Sequence, residues 1–90
     1  ESIQNIVAAH YNLNINEMLS ARRSRSLARP RQIAMYLAKQ HTTNSLPDIG
    51  RKFSNRDHTT VIHAVKKIDE LIKKDNDIRQ NVMEIKKKFL

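Results

Sequence analysis

The chain has 90 residues, 39% of them hydrophobic, which is enough for one small domain with a single core and too little for a second. Its 17 Lys and Arg against 9 Asp and Glu give a formal charge of +8 and a pI near 10.2, so polyanions are the expected partners, nucleic acid first and an acidic membrane surface second. No apolar run approaches the ~20 residues that cross a bilayer, there is no cysteine for a disulfide, a thiolate nucleophile or a zinc site, and the single glycine, Gly50, cannot build a phosphate-cradling G-x-x-x-x-G-K-[ST] loop.

The start, ESIQNIVAAHY, has neither an initiator Met nor the regions of a signal peptide, and the absence of cysteine suits a reducing cytoplasm. A piece of a longer cytoplasmic protein is expected. Ser2 is a candidate cap for a short amphipathic helix over residues 2–10, with Ile3, Ile6, Val7 and His10 at helical spacing. Asn14 and Glu17 stand as a capping box does, opening a brief helical turn that gives Ile15, Met18 and Leu19 to the core and ends near Ser20.

Residues 21–30 form a polar basic segment. Pro30 suits the first turn of the next helix, expected over 30–41, where its missing N–H costs nothing. That helix buries some of Ile33, Ala34, Tyr36, Leu37 and Ala38 and stops at HTTN, whose side chains compete for backbone bonds. Another starts at once. Pro47 and Asp48 mark its first turn, and it runs through Phe53. Ser54, Asn55 and Arg56 form a turn in which Asn55 can take left-handed angles, and a long helix follows over 58–74. Asp77, with Gln80 three residues on, caps a last helix carrying Ile78, Val82, Ile85 and Phe89. No segment alternates with period two for long enough to suggest a strand. The fold class is all-α, a compact helical bundle.

The stretch RDHTTVIHAVKKI, residues 56–68, separates its residues most cleanly. With Asp57 as N-cap and about 100° per residue, Val61, Ala64, Val65, Ile68, Leu71 and Ile72 form one stripe, while Thr59, His63, Lys66 and Lys67 lie roughly opposite. Helix 46–53, turn 54–56 and helix 58–74 have the proportions of a helix-turn-helix, whose second helix meets base edges with its first turn. Asp57, His58 and Thr59 are the candidates for bases, and Thr60 and Lys67 for flanking phosphate. A carboxylate accepts from cytosine N4, a threonine methyl packs on thymine, and an imidazole bonds a base or packs on a methyl. Asp57 is equally well explained as a plain N-cap, and His58 and His63 as ordinary surface residues.

Arg22, Arg23, Arg25, Arg29 and Arg31 put five arginines in ten residues with no acid among them. Guanidinium forks bind phosphate bidentately, and an arginine on an arm can enter a narrow minor groove, where the potential is most negative. The alternatives are a solvated basic loop or a localisation-like tract. His58 and His63 are five apart, off the spacing of a helical metal pair, and no nucleophile elbow or acid–base pair organises the Ser, His and Asp residues, so neither a metal site nor an enzyme is expected.

SARRSRSLARPRQIAMYLAKQHT, then SLPDIGRKF, then RDHTTVIHAVKKI closely resemble, in order and spacing, the C-terminal DNA-binding domain of the DnaA family of bacterial replication initiators. The resemblance covers nearly the whole chain. It implies about six helices containing a helix-turn-helix with a basic loop, reading asymmetric boxes of the TTATCCACA type at the replication origin, one monomer per box. The arginine matching Arg23 would enter the minor groove, and the matches to Asp57, His58 and Thr59 would contact bases in the major groove. Arg25, Arg31, Gln32, Lys39, Leu46, Pro47, Thr60 and Lys67 would hold phosphate, Leu46 and Pro47 through the backbone at a helix start. No cofactor is expected here; ATP and its hydrolysis would belong to an upstream part of the full-length protein. Relatives usually have a pair of glycines where this chain has Ser54 and Asn55, which implies a stiffer or slightly rotated turn. A competing role is a basic module for acidic phospholipid or a protein partner, with helices 30–41 and 78–90 as its surfaces.

Overall fold

A side-chain oxygen accepts from the backbone at the start of each helix: Ser2, Asn14, Ser24, Ser45, Asp57 and Asp75. In this computed structural model, which describes residues 2–22 and 24–89, they open α1 (Ile3–His10), α2 (Ile15–Met18), α3 (Arg25–His41), α4 (Leu46–Arg51), α5 (His58–Lys74) and α6 (Asn76–Lys86). The described residues contain no strand. Ser45 and Asp48 complete a reciprocal capping box at α4, with Pro47 in its first turn. The box expected at Asn14 is only half made. Asn14 Oδ1 accepts from the Asn16 amide at 2.8 Å, but Glu17 faces Arg22 at 3.6 Å. At α6 the cap is Asp75 rather than Asp77, because Asp75 both closes α5, its N–H donating to the Leu71 carbonyl, and accepts from the Asp77 and Ile78 amides.

The basic segment departs further from the expected loop. Instead of a loop to Pro30, the chain turns helical at Arg25, so that Arg25, Arg29 and Arg31 lie on α3 and Pro30 is inside the helix. Proline in a helix interior costs ~3 kcal/mol. The added turns offset it by burying Leu27, which is 3% exposed, a gain of about 1.5–3 kcal/mol, while Ser24 caps the new start by accepting from the Ser26 amide.

Helix α3 runs through the middle. Ile33, Ala34, Met35, Tyr36 and Leu37 are all buried, and the helix packs against α1, α2, α4 and most extensively α5. Helix α5 contributes Val61, Ala64 and Ile68 to the core, with Val65, Leu71 and Ile72 packed at its edge, as the stripe predicts. Helix α6 closes the bundle with Val82 and Ile85. The apolar faces of α3 and α6 pack into the interior, and Met83 is the only large exposed hydrophobic among the described residues. Among the described residues no helix is long and apolar enough to cross a membrane.

The turn between α4 and α5 is tight. Ser54 and Asn55 both have positive φ, 62° and 55°, so the serine adopts a left-handed conformation that favours glycine. Its hydroxyl donates to the Leu19 carbonyl. Gly50 is needed for space rather than for φ: a Cβ there would lie 2.1 Å from the Arg56 carbonyl oxygen. In return the Arg56 amide donates to the Gly50 carbonyl at 2.9 Å, pinning the residue that precedes the cap of α5.

Candidate nucleic-acid interface

Asp57, His58, Thr59 and Thr60 stand exposed at the N-terminal end of α5. Val61 and Ala64 anchor that end in the core, so the four polar residues are held on a fixed helical start. The Asp57 carboxylate caps the helix, Oδ1 accepting from the Thr59 amide at 3.4 Å, and the same oxygen lies 2.9 Å from His58 Nδ1. The N-cap and base-reading roles proposed for Asp57 are compatible, because the cap engages only one of its two oxygens.

Beside this end lies a cleft of about 400 Å³ between α3 and α5, lined among others by Ser24, Arg25, Gln32, Arg56, Thr60 and His63. Gln32 and His63 also border a second cleft, with Lys66, Lys67, Asp69 and Glu70. Arg25, Gln32, Thr60 and Lys67, picked from separate stretches of sequence, therefore line one continuous strip. Gln32 is oriented by Arg29, whose Nη1 donates to its Oε1 at 2.7 Å. Lys39 is exposed near the other end of α3, about 21 Å from Arg25 at 1.5 Å per residue, a span of roughly six phosphates along one strand. Leu46 and Pro47 open α4. There the Asp48 amide is taken by Ser45 Oγ and the Ile49 amide by the Ser45 carbonyl, so Leu46 carries the remaining first-turn donor and Pro47 has none. Arg23 lies outside the described residues.

Arg31 is placed differently from the phosphate contact the resemblance implies. It is 6% exposed. Its Nε donates to the Met18 carbonyl at 2.7 Å, its Nη2 to the carbonyls of Glu17 at 3.0 Å and Ser20 at 2.8 Å, and its Nη1 to the Arg22 carbonyl. Burial, and then the neighbouring Arg56 guanidinium, push its pKa below the usual arginine value. The fork is spent on the C-terminal carbonyls of α2, which a four-residue helix cannot satisfy itself. Arg56, read from sequence only as a turn residue, joins it: Nη1 donates to the Phe53 carbonyl at 2.6 Å and Nη2 to the Ser20 carbonyl at 3.2 Å. Neither role had a sequence signal beyond the surplus of arginine. No group of three or more His, Cys, Asp or Glu side chains among the described residues is placed to hold a metal ion.

The family model for the bacterial dnaA protein helix-turn-helix matches residues 1–68. The chain belongs to the DnaA helix-turn-helix family. It is 57% identical over 82 residues to the chromosomal replication initiator protein DnaA of Gluconobacter oxydans, covering 91% of this chain and 17% of that protein. It is 53% identical over 87 residues to the DnaA of Brucella abortus, covering 97% and 18%. The chain thus spans less than a fifth of these DnaA relatives. Among solved structures it resembles a crystal structure of a DNA replication initiation factor, with a TM-score of 0.82 and 35% identity over 96% of this chain and 26% of that one. The matched residues span α1 to α4, the turn and α5 as far as Ile68.

Proposed function

We propose that this domain binds an asymmetric double-stranded DNA box of the TTATCCACA type, one monomer per box, and thereby places a bacterial replication initiator on the origin. Asp57, His58 and Thr59 meet base edges in the major groove. Arg25, Gln32, Lys39, Thr60 and Lys67, with the backbone at Leu46, hold phosphates on either side, and Arg23 enters the minor groove. ATP binding and hydrolysis belong to the upstream part of the full-length protein, in the cytoplasm.

The observation that carries this reading is the exposed row of Asp57 to Thr60 on a helix start whose flank is lined by Arg25, Gln32 and Thr60 together. Hydrogen-bonding groups for bases sit beside cations for phosphate, the division of labour that sequence recognition requires. Fluorescence anisotropy on a TTATCCACA-type duplex and on a scrambled duplex of equal composition tests it. The expected preference at physiological salt is on the order of 10³ or more. Equal binding of both would reduce the surface to an electrostatic one and bring a lipid or protein partner forward.

A further inference from the structure

The α2–α3 connection and the helix-turn-helix turn share their hydrogen bonds. Arg56 reaches the Ser20 carbonyl at 3.2 Å across 36 residues of sequence, the Ser54 hydroxyl donates to the adjacent Leu19 carbonyl, and Arg31 holds the same Ser20 carbonyl from α3. Arg56 is itself fixed at three other points: its amide on the Gly50 carbonyl, its own carbonyl against the bare Gly50 Cα, and its second guanidinium nitrogen on the Phe53 carbonyl. On one side of this junction the chain continues to Ala21, Arg22 and the basic start of α3; on the other, the next residue is Asp57, the cap of the helix offered to bases.

We propose that Arg56 is a positioning residue for DNA recognition, tying the segment beginning at Ser20 to the start of α5 so that the basic segment and the reading helix approach DNA as one rigid body. The inference rests on the reading that these two elements contact the same box. A pre-ordered pair of contacts binds without ordering a loop at the moment of association, and it accepts only a box whose two contact regions stand at the matching distance. The fork is what the role requires, since one planar group holds two donors in fixed geometry on the Phe53 and Ser20 carbonyls at once; an ammonium keeps the charge without that fixed pair.

Arg56→Lys therefore separates positioning from charge. Binding to the TTATCCACA-type and scrambled duplexes is measured across a salt series, below the melting temperature of each protein as followed by circular dichroism. The expected result is a loss of about tenfold in the ratio of the two affinities, comparable to one mismatched base pair, with the salt slope unchanged. An unchanged ratio in the folded variant would overturn the proposal, and so would equal weakening on both duplexes with a shallower slope, the mark of a lost phosphate contact. If the unaltered domain itself fails to prefer the box, the reading beneath the proposal falls and the proposal with it. A measurement on the unaltered protein needs no variant. Amide order parameters of Ser20, Ala21 and Arg22 should match those of Arg56 and His58, near 0.85, whereas values under about 0.6 in the segment beside a rigid turn would show that the two are not joined.

Discussion

Arg31 and Arg56 donate to one acceptor: the Ser20 carbonyl oxygen takes an N–H from each, at 2.8 and 3.2 Å. Two guanidinium groups share this corner with backbone dipoles as their hydrogen-bond acceptors. Arg31 gives the Met18 carbonyl at the end of α2, and both give the Ser20 carbonyl just beyond it, charge-assisted bonds, which are stronger than neutral ones. Arg31 thereby belongs to the interior of the domain.

Replacing Arg31 with Leu should cost about 2–3 kcal/mol in urea unfolding, because the Met18 carbonyl loses its guanidinium donor, while the Glu17 and Ser20 carbonyls keep only the bonds from Ser20 and Arg56. Arg31→Lys should recover little, as a single ammonium cannot reach that set. A variant as stable as the parent but weakened on every duplex would return Arg31 to the phosphate role that the family resemblance implies.

At Ser54 the strain and the hydrogen bond can be separated. Ser54→Ala keeps the positive φ and loses the bond to Leu19, whereas Ser54→Gly loses the bond and relieves the strain. The glycine variant should be the more stable of the two by about 1–2 kcal/mol, the cost of a left-handed L-residue. Matching stabilities would mean that the turn relaxes without cost.

Gly50→Ala should be among the most damaging small substitutions, at about 3 kcal/mol or more, since the added methyl meets a backbone carbonyl that cannot rotate away. Thermal unfolding followed by circular dichroism reads it directly. A loss under about 1 kcal/mol, the scale of a tolerated repacking, would contradict the close approach of α4 to Arg56.

The Tyr11 hydroxyl oxygen is buried with no hydrogen-bond partner among the described residues, and burial raises its pKa against a smaller opposing pull from Arg29. With the folded value above the unfolded one, near 10, its contribution to stability is complete below that pH and is lost as pH rises through the folded value. Tyr11→Phe should be neutral to about 1 kcal/mol stabilising at neutral pH. Its advantage should grow in urea unfolding at about pH 10.5, where Tyr36, also raised by burial and by Asp69, titrates equally in both proteins. A Phe variant with the parent's alkaline limb would contradict the assignment.

Much of this architecture is legible in the sequence because it is written in local chemistry. The caps Ser2, Asn14 and Asp57 and the stripe Val61, Ala64, Ile68 follow from side-chain type and period alone. The start of α3 was not legible, because Pro30 is a strong local signal for a first turn and the burial of Leu27 that overrides it is tertiary. Asp75 was hidden for a similar reason, as it ends one helix and begins another without an intervening loop. In the candidate site, the exposed polar face of α5 was readable from its pattern. The division of the arginines was not: Arg25 is exposed, whereas Arg31, which borders the same cleft, is 6% exposed and spends its guanidinium on backbone carbonyls, and only five residues of one basic run stand between them.

In the proposed division of labour the start of α5 reads bases while the surrounding cations hold phosphate. It is tested most directly by comparing Thr59→Ala with Lys39→Ala on cognate and scrambled duplexes by fluorescence anisotropy. Thr59→Ala should cost about 1–3 kcal/mol on the cognate box and little on the scrambled one, and Lys39→Ala should weaken both about equally. Equal weakening of both duplexes by Thr59→Ala would contradict it.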